Sequence, residues 1–134
     1  MTKQYELALQ IAGEAHCGQK DKNGADYILH PIYVSDMCES ENAKIVALLH
    51  DVIEDTRVTL DDLRNEGFDE DVVLAVDCLT KRNGESNREY LSRVSKNEIA
   101  TEVKFADIKH NIDRSSDNRK KYYEWKDKIL KEMI

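Results

Sequence analysis

The sequence predicts an all-α fold, a single domain in which about seven to eight helices form a bundle. The 134 residues include one proline and five glycines, so few residues interrupt helices. Strict alternation of apolar and polar residues, the pattern of a half-buried strand, does not extend over any useful length, whereas apolar residues recur at helical spacing. This length is about that of one domain, and we expect residues 1–134 to form it.

The first helix is predicted over residues 2–17. The stretch that follows it, GQKDKNGADY, is rich in Gly, Asn and Asp and is therefore interpreted as a loop. A short helix is predicted after Pro31, since proline suits the first position of a helix.

The next helix is predicted over residues 42–55. Thr59 is a predicted N-cap, with Asp62 three positions later as its capping-box partner and Gly67 as the stop. Four more helices are expected, over residues 69–80, 86–96, 98–112 and 118–133.

The composition limits the classes of partner. A formal net charge of −7 argues against non-specific nucleic-acid binding, which requires a basic surface. No window approaches about 18 consecutive apolar residues, and the N-terminus does not resemble a signal peptide, so we expect a cytoplasmic protein without membrane contacts. A small anionic substrate stays compatible with this charge, and the sequence leaves a monomer and a small homo-oligomer open.

The three cysteines, Cys17, Cys38 and Cys78, are far apart in the chain. They are odd in number and form no CxxC pair. We expect them to be reduced thiols that pack in the core as small hydrophobes.

The stretch HDVIEDT, residues 50–56, holds the densest group of residues that could bind a metal or act in catalysis. On a helical wheel the apolar residues of AKIVALLHDVIEDT follow a buried stripe, and His50, Asp51, Glu54 and Asp55 fall together on the opposite arc. A solvated face would explain such a patch, but three anions without an interleaved Lys or Arg repel one another. A divalent metal ion would supply the missing positive charge.

Two further residues are candidate ligands for such an ion. His30 lies in YILHP, after a loop and beside the only proline, which is a rigid place for an imidazole. Asp107 lies in VKFADIKHNID, where Lys104, Asp107 and Asn111 share one helical face. Single residues of this kind are more often structural, so the spacing alone does not decide between the two roles.

The complete set of motifs is similar to a known family. A histidine after a loop, a contiguous His-Asp pair and a later Asp are the pattern of the HD superfamily of metal-dependent phosphohydrolases. Within it, HCGQKDKNGADYILHP, ALLHDVIEDT and VKFADIKHN resemble the hydrolase domain of RelA/SpoT proteins and the stand-alone small alarmone hydrolases. The resemblance covers residues 5–114 and implies an HD-type helical bundle around a metal site.

The resemblance also implies roles for individual residues. His30, His50, Asp51 and Asp107 match the metal ligands, and this mixed nitrogen and oxygen set suits an octahedral ion such as Mn²⁺. Glu54 and Asp55 match an acidic pair that would orient and deprotonate a metal-bound water. The implied reaction is loss of pyrophosphate from the 3′ position of guanosine tetra- or pentaphosphate, leaving GDP or GTP.

The match is less complete for the substrate site. In the alarmone hydrolases the loop after the AHxxQ-type segment carries a basic pair against the guanine, whereas here Asp21 and Lys22 take those positions and Lys20 precedes them. Further candidate substrate contacts are Tyr27, Lys104, Asn111 and Arg114. Lys81 and Arg82 fit either a phosphate contact or a solvated loop, and His16 and His110 receive no role.

Three function hypotheses follow. The first is a Mn²⁺-dependent alarmone pyrophosphohydrolase that stands alone, without synthetase activity. The second is an HD phosphohydrolase for another nucleotide or phosphoester, which Asp21 keeps open. The third is a regulatory domain that binds a nucleotide without hydrolysing it. Because the His, HD, ED and Asp positions are all intact, the sequence favours an enzyme.

Overall fold

The computed structural model describes residues 2–114 and 119–133, without the side chains of Arg114, Arg119, Glu132 and Met133. Within these ranges the chain forms nine helices and no strand, so the all-α prediction is confirmed. In chain order the helices are α1 (Lys3–Ala15), α2 (Leu29–Met37), α3 (Glu41–Leu49), α4 (Val52–Asp55), α5 (Leu60–Asn65), α6 (Glu70–Leu79), α7 (Asn87–Ser95), α8 (Glu98–Arg114) and α9 (Arg119–Met133).

Helix α3 lies at the centre of the bundle and packs against α1, α2, α6 and α8. Its second half is apolar on every side, as expected of a core helix, and its buried residues are Ala43, Ile45, Val46, Ala47, Leu48 and Leu49. The residues that follow it, His50 and Asp51, are therefore delivered to the interior of the protein.

The helix predicted over residues 42–55 is divided in the structure. Helix α3 ends at Leu49, His50 and Asp51 form a turn, and α4 adds a single turn. The Nδ1 nitrogen of His50 lies within hydrogen-bond reach of the Ala47 carbonyl oxygen, so a side chain competes for a carbonyl group at the end of α3. This division accounts for nine helices in the described ranges instead of seven to eight. His50 is buried, so the alternative interpretation of the His50 to Asp55 patch as a solvated face does not hold for this residue.

Helix α2 begins at Leu29, two residues before Pro31, so the prediction that Pro31 opens the helix is wrong. The peptide N–H of Leu29 bonds to the Asp26 carbonyl and that of His30 to the Tyr27 carbonyl. Pro31 then falls in the first turn, where a backbone N–H has no partner within the helix and its absence costs little.

Contacts far apart in sequence fix the start of α3. The Glu102 carboxylate of α8 accepts hydrogen bonds from the backbone N–H groups of Glu39 and Ser40 and from the Ser40 hydroxyl. The Ser40 hydroxyl oxygen in turn caps α3 by accepting from the Ala43 N–H. Helix α8, which carries a residue of the site described below, is thereby held to α3, which leads into two others.

The capping box predicted at Thr59 and Asp62 is confirmed, with both reciprocal hydrogen bonds formed. Cys38 is buried as predicted, whereas Cys17 is exposed just after α1, so the prediction of a buried thiol is wrong there. Among the described residues, no helix has both the length and the apolar character that crossing a membrane requires.

Candidate metal centre

Four side chains from three parts of the fold meet in the interior. His30 comes from the first turn of α2, His50 and Asp51 from the turn between α3 and α4, and Asp107 from the middle of α8. His30, His50 and Asp107 are each at most 6% exposed, and the side chain of Asp51 is 18% exposed. Helix α3 packs against both α2 and α8. The packing of these three helices therefore brings the four side chains together.

The atoms that face one another are the ones that bind metals. One ligand atom from each of His30, His50 and Asp107 lies within 4.8 Å of the other two. Asp107 Oδ1 is 2.8 Å from His30 Nε2 and 3.5 Å from His50 Nε2. Asp51 Oδ2 completes the group, at 3.1 Å from His50 Nε2 and 4.0 Å from His30 Nε2.

Further polar groups hold the two carboxylates from outside. The Tyr27 hydroxyl donates to Asp51 Oδ2 at 2.6 Å, and the Lys104 ammonium donates to Asp107 Oδ2 at 3.1 Å. Asp107 therefore turns one oxygen to Lys104 and the other to the histidines. Burial raises the pKa of Tyr27, and the Asp51 charge raises it further, so the hydroxyl stays a donor.

Electrostatics favour a positive charge among these groups. Burial by itself would lower the pKa of His50, but the carboxylates of Asp51 and Asp107 outweigh it and hold that pKa well above its ordinary value. Burial would likewise raise the pKa of Asp107, but the Lys104 ammonium and the histidines keep it well below its usual range. A cation at His50 Nε2, whether a proton or a metal ion, is therefore stabilised.

The residues present fit a divalent cation. His50 Nε2 is buried and makes no hydrogen bond of good geometry, although Asp51 Oδ2 is only 3.1 Å away. The opposite ring nitrogen, Nδ1, faces the Ala47 carbonyl, which can only accept, so a neutral His50 carries its proton on Nδ1 and its lone pair on Nε2. A buried imidazole lone pair beside two carboxylates is a suitable donor set for a metal ion.

The acidic pair after the HD sequence lies at the rim of this centre. Burial raises the pKa of both carboxyls, and the charge of Asp51 adds to the rise in each. The Glu54 carboxylate accepts a hydrogen bond from the backbone N–H of Lys81 at 2.5 Å. The Gln19 side chain holds the Asp55 backbone carbonyl at 3.4 Å. Both residues are exposed, so their carboxyl groups are accessible to a substrate. Both are also close enough to Asp51 for its charge to raise their pKa.

The loop that carries Lys81 is itself anchored. The Arg93 guanidinium of α7 donates to the Cys78 and Thr80 carbonyls at the end of α6 and pairs with Glu85 at 2.9 Å. Arg82 donates to the Thr80 carbonyl and pairs with Asp77 at 2.8 Å. Arg82 is therefore engaged in holding the loop together.

The structure of the loop after α1 gives Asp21 a structural role. The Asp21 carboxylate accepts hydrogen bonds from the backbone N–H groups of Asn23 and Ala25, at 2.8 and 3.0 Å, and Gly24 takes a positive φ of 83°. An Asp side chain that accepts from nearby backbone N–H groups, with a glycine at positive φ, is typical of a turn. The Lys20 ammonium pairs with the Asp26 carboxylate, while the Lys22 side chain is exposed. Asp21 therefore shapes the loop.

Two other predicted substrate contacts, Lys104 and Asn111, lie beside Asp107. Lys104 is 7% exposed, with its ammonium 5.1 Å from the Tyr90 ring and 5.0 Å from the Trp125 ring. Its contact with a substrate stays a prediction. The Asn111 amide donates to Asp107 Oδ1 at 3.5 Å, a weak contact on the predicted shared face. The side chain of Arg114 lies outside the described residues.

Sequence reasoning missed two histidines near the centre. His110 Nδ1 lies 2.6 Å from His30 Nδ1, and His16 is buried with its ring 4.9 Å from that of Tyr27. The signal for His110 was its place one turn after Asp107 on α8, which brings it to the same side of that helix. No comparable signal pointed to the contact between His16 and Tyr27.

Comparison with known proteins finds relatives that are similar in sequence. No family model matches the sequence. A GTP pyrophosphokinase of Streptomyces coelicolor is 36% identical over 123 residues, which cover 82% of this chain and 14% of that protein. A guanosine-3′,5′-bis(diphosphate) 3′-pyrophosphohydrolase of Borreliella burgdorferi is 42% identical over 78 residues, which cover 55% of this chain and 12% of that protein. The chain thus spans a small part of the length of these curated relatives.

The fold is also similar to a solved structure. A metazoan ortholog of SpoT, which hydrolyses ppGpp and plays a role in starvation responses, superposes with a TM-score of 0.80 and 25% sequence identity. The superposition covers 99% of this chain and 86% of that one. In sequence and in fold, the chain is an HD-type, RelA/SpoT hydrolase-like protein.

Proposed function

We propose that this protein is a metal-dependent pyrophosphohydrolase that removes the 3′-pyrophosphate of guanosine tetra- or pentaphosphate. The observation that carries the proposal is the buried meeting of His30 Nε2, His50 Nε2 and Asp107 Oδ1, with Asp51 Oδ2 beside them. The relatives named as 3′-pyrophosphohydrolases and the solved ppGpp hydrolase support this choice of substrate.

In this proposal His30, His50, Asp51 and Asp107 hold one divalent ion, most suitably Mn²⁺. Two imidazole nitrogens and two carboxylate oxygens leave further positions of an octahedral ion open. The bound ion would supply a water of lowered pKa and would neutralise charge on a phosphoryl oxygen. The fixed partners Tyr27 and Lys104 keep the two carboxylates oriented before the ion arrives.

In this proposal Glu54 and Asp55 orient and deprotonate the attacking water. Glu54, whose pKa burial raises, accepts the proton of the water as the water oxygen bonds to the phosphorus next to the 3′-oxygen. The bond between that phosphorus and the 3′-oxygen breaks, and the 3′-oxygen takes a proton from solvent to become a hydroxyl. The products are pyrophosphate and GDP or GTP.

A second candidate is hydrolysis of a different nucleotide by the same centre. The observation that favours it is the loop after α1, where Asp21 is engaged in the turn and Lys20 is paired with Asp26. In this loop only Lys22 offers an ammonium without a described ion-pair partner, so guanine and phosphate recognition there would differ from that of the alarmone hydrolases.

The test is hydrolysis by the purified protein loaded with Mn²⁺. The protein is incubated with ppGpp and, separately, with nucleoside mono-, di- and triphosphates, and the products are separated by ion exchange. Release of pyrophosphate and GDP from ppGpp alone supports the proposal, while turnover of another nucleotide supports the second candidate.

Two variants define the background of that experiment. Asp51→Ala removes a proposed ligand and should abolish both metal retention and turnover. Asp36→Ala changes an exposed carboxylate of α2 and should leave both at wild-type levels. Normal turnover and normal metal content in Asp51→Ala would refute the assignment of the site.

A further inference from the structure

A second layer of aromatic rings lies directly behind the metal centre. His30 Nδ1 is 2.6 Å from His110 Nδ1, and the two ring planes are nearly parallel, at 14°. Tyr33 also stacks on His110, with ring centroids 4.2 Å apart and planes 21° apart. His30 and Tyr33 belong to α2 and His110 belongs to α8, so the contact joins two helices that supply ligands.

The short distance between the two nitrogens restricts the protons. Two Nδ1 atoms at 2.6 Å form a hydrogen bond only if one carries a proton and the other offers a lone pair. His30 faces the carboxylates with Nε2, which is 2.8 Å from Asp107 Oδ1. A metal ion on Nε2 requires the lone pair there, and a neutral imidazole then carries its proton on Nδ1.

We propose that His110 is a positioning residue that accepts the Nδ1–H of His30 and thereby keeps His30 in the metal-binding tautomer. The inference rests on the metal centre proposed above. For this bond His110 offers the lone pair of its Nδ1, because a proton there would point at the proton of His30. Tyr33 stacks on the His110 ring, but it takes no part in the choice of tautomer.

The same arrangement is visible at the other histidine of the centre. His50 directs Nδ1 to the Ala47 carbonyl and Nε2 to the carboxylates. A carbonyl oxygen can only accept, so it selects the Nδ1–H tautomer of a neutral His50. An imidazole can donate or accept, so His110 selects the tautomer of His30 only while its Nδ1 offers a lone pair. Metal uptake therefore sets the direction of the hydrogen bond between α2 and α8.

The test measures metal binding and tautomers, both independent of turnover. Zn²⁺ serves as a diamagnetic probe, since imidazole and carboxylate ligands bind it. Isothermal titration calorimetry gives the affinity, and long-range ¹H–¹⁵N correlation spectra give the protonation of each ring nitrogen. With four histidines in the chain, single His variants suffice to assign these spectra.

Three variants separate the hydrogen bond from the stacking. His110→Phe keeps a ring on Tyr33 but removes the acceptor, and should lower Zn²⁺ affinity roughly 10- to 100-fold. His110→Gln restores an acceptor oxygen and should recover most of the affinity. Tyr33→Leu removes the stacking and should stay close to wild type. Melting curves in EDTA show whether each variant folds.

In the Zn²⁺-loaded wild type, we expect His30 Nδ1 to be protonated and His110 Nδ1 to be unprotonated. The reverse pattern, or equal affinity in wild type and His110→Phe, would overturn the role of His110. An equal loss of affinity in Tyr33→Leu and His110→Phe would also overturn it, by showing that ring packing matters in place of the hydrogen bond. Failure of the wild type to bind Zn²⁺ or Mn²⁺ would overturn the metal centre itself, so the two failures are distinguishable.

Discussion

The Tyr27 hydroxyl donates a hydrogen bond to Asp51 Oδ2 across 2.6 Å. The bond connects the loop before α2 with the turn between α3 and α4, 24 positions apart in the chain. Since the same oxygen lies 3.1 Å from His50 Nε2, Tyr27 restrains a carboxylate that belongs to the centre. The tyrosine is thus a support for the site, and its removal should be felt there.

Tyr27→Phe should weaken metal binding about 10-fold or more, the scale for losing a hydrogen bond that orients a ligand. It should also destabilise the metal-free protein by about 1.5–3 kcal/mol, because the lost bond ends on a charged acceptor. Calorimetric titration with Mn²⁺ and urea unfolding in EDTA measure the two effects. Tyr123→Phe, at an exposed tyrosine of α9, is the matched control and should change neither.

Lys104→Met should destabilise the metal-free protein by about 3–5 kcal/mol, since it leaves the buried Asp107 charge without its partner. Adding Asp107→Asn removes that charge, so the double variant should be more stable than Lys104→Met alone. Urea unfolding of both in EDTA provides the comparison. Lys109→Met, an exposed position on the same helix, should stay within about 0.5 kcal/mol of wild type. Equal stability of the Lys104→Met and Lys109→Met proteins would contradict the structural role of Lys104.

Glu54→Gln should lower kcat by roughly 10² or more while metal affinity stays unchanged, because the amide cannot accept the proton of the water. The amide oxygen can still accept the hydrogen bond from the Lys81 N–H, so the loop keeps its anchor. Steady-state kinetics and calorimetry on the same preparation separate the two quantities. A wild-type kcat would assign the proton to another group, and Asp55→Asn would be the next variant to measure.

Removing the metal should lower the melting temperature of the wild type. An ion present at 100 times its dissociation constant stabilises the folded state by about 2.7 kcal/mol if it binds the folded state alone. Thermal unfolding with Mn²⁺ and with EDTA measures this difference, and Asp51→Ala should show none. Identical melting curves for the wild type in both solutions would contradict a metal linked to folding.

Glu85 should make folding stability depend on acid pH. The Arg93 guanidinium and the Arg82 N–H hold the pKa of its carboxyl at about 2 in the folded protein, below the ordinary value of 4.5. A lowered folded pKa stabilises the protein above the unfolded pKa, and this contribution is lost as pH falls from about 4.5 towards 2. Glu85→Gln should therefore be less stable than wild type near neutral pH, and the gap should close in acid. Melting temperatures across this range test it, with Glu89→Gln, exposed on α7, as the control.

Much of the fold could be predicted because its signals are local. The capping box at Thr59 and Asp62 lies within four residues, and both of its bonds form. Apolar spacing located the other helices to within about two residues. The break after Leu49 could not be found this way, since helical spacing continues through His50 and Asp51 while their side chains bond elsewhere. One of those bonds, from Tyr27, comes from another part of the chain.

In the candidate site, too, local features could be predicted from the sequence and long-range contacts could not. The shared face of Lys104, Asp107 and Asn111 follows from spacing on one helix and is present in the structure. The burial of Lys104 does not follow from spacing, because Tyr90 of α7 and Trp125 of α9 cover it. The contact of His110 with His30 spans 80 positions, so only the packing of α2 on α8 reveals it.

The cover over Lys104 has an optical consequence. Trp125 is the only tryptophan in the chain, and the Lys104 ammonium lies 5.0 Å from its ring. That ammonium is bonded to Asp107, whose other oxygen faces the histidines. A change of charge at the centre should therefore alter the electric field at Trp125 through the Asp107–Lys104 pair. The emission of an indole responds to such a change in nearby charge. The intrinsic fluorescence of the unlabelled protein should therefore follow the filling and emptying of the centre in real time.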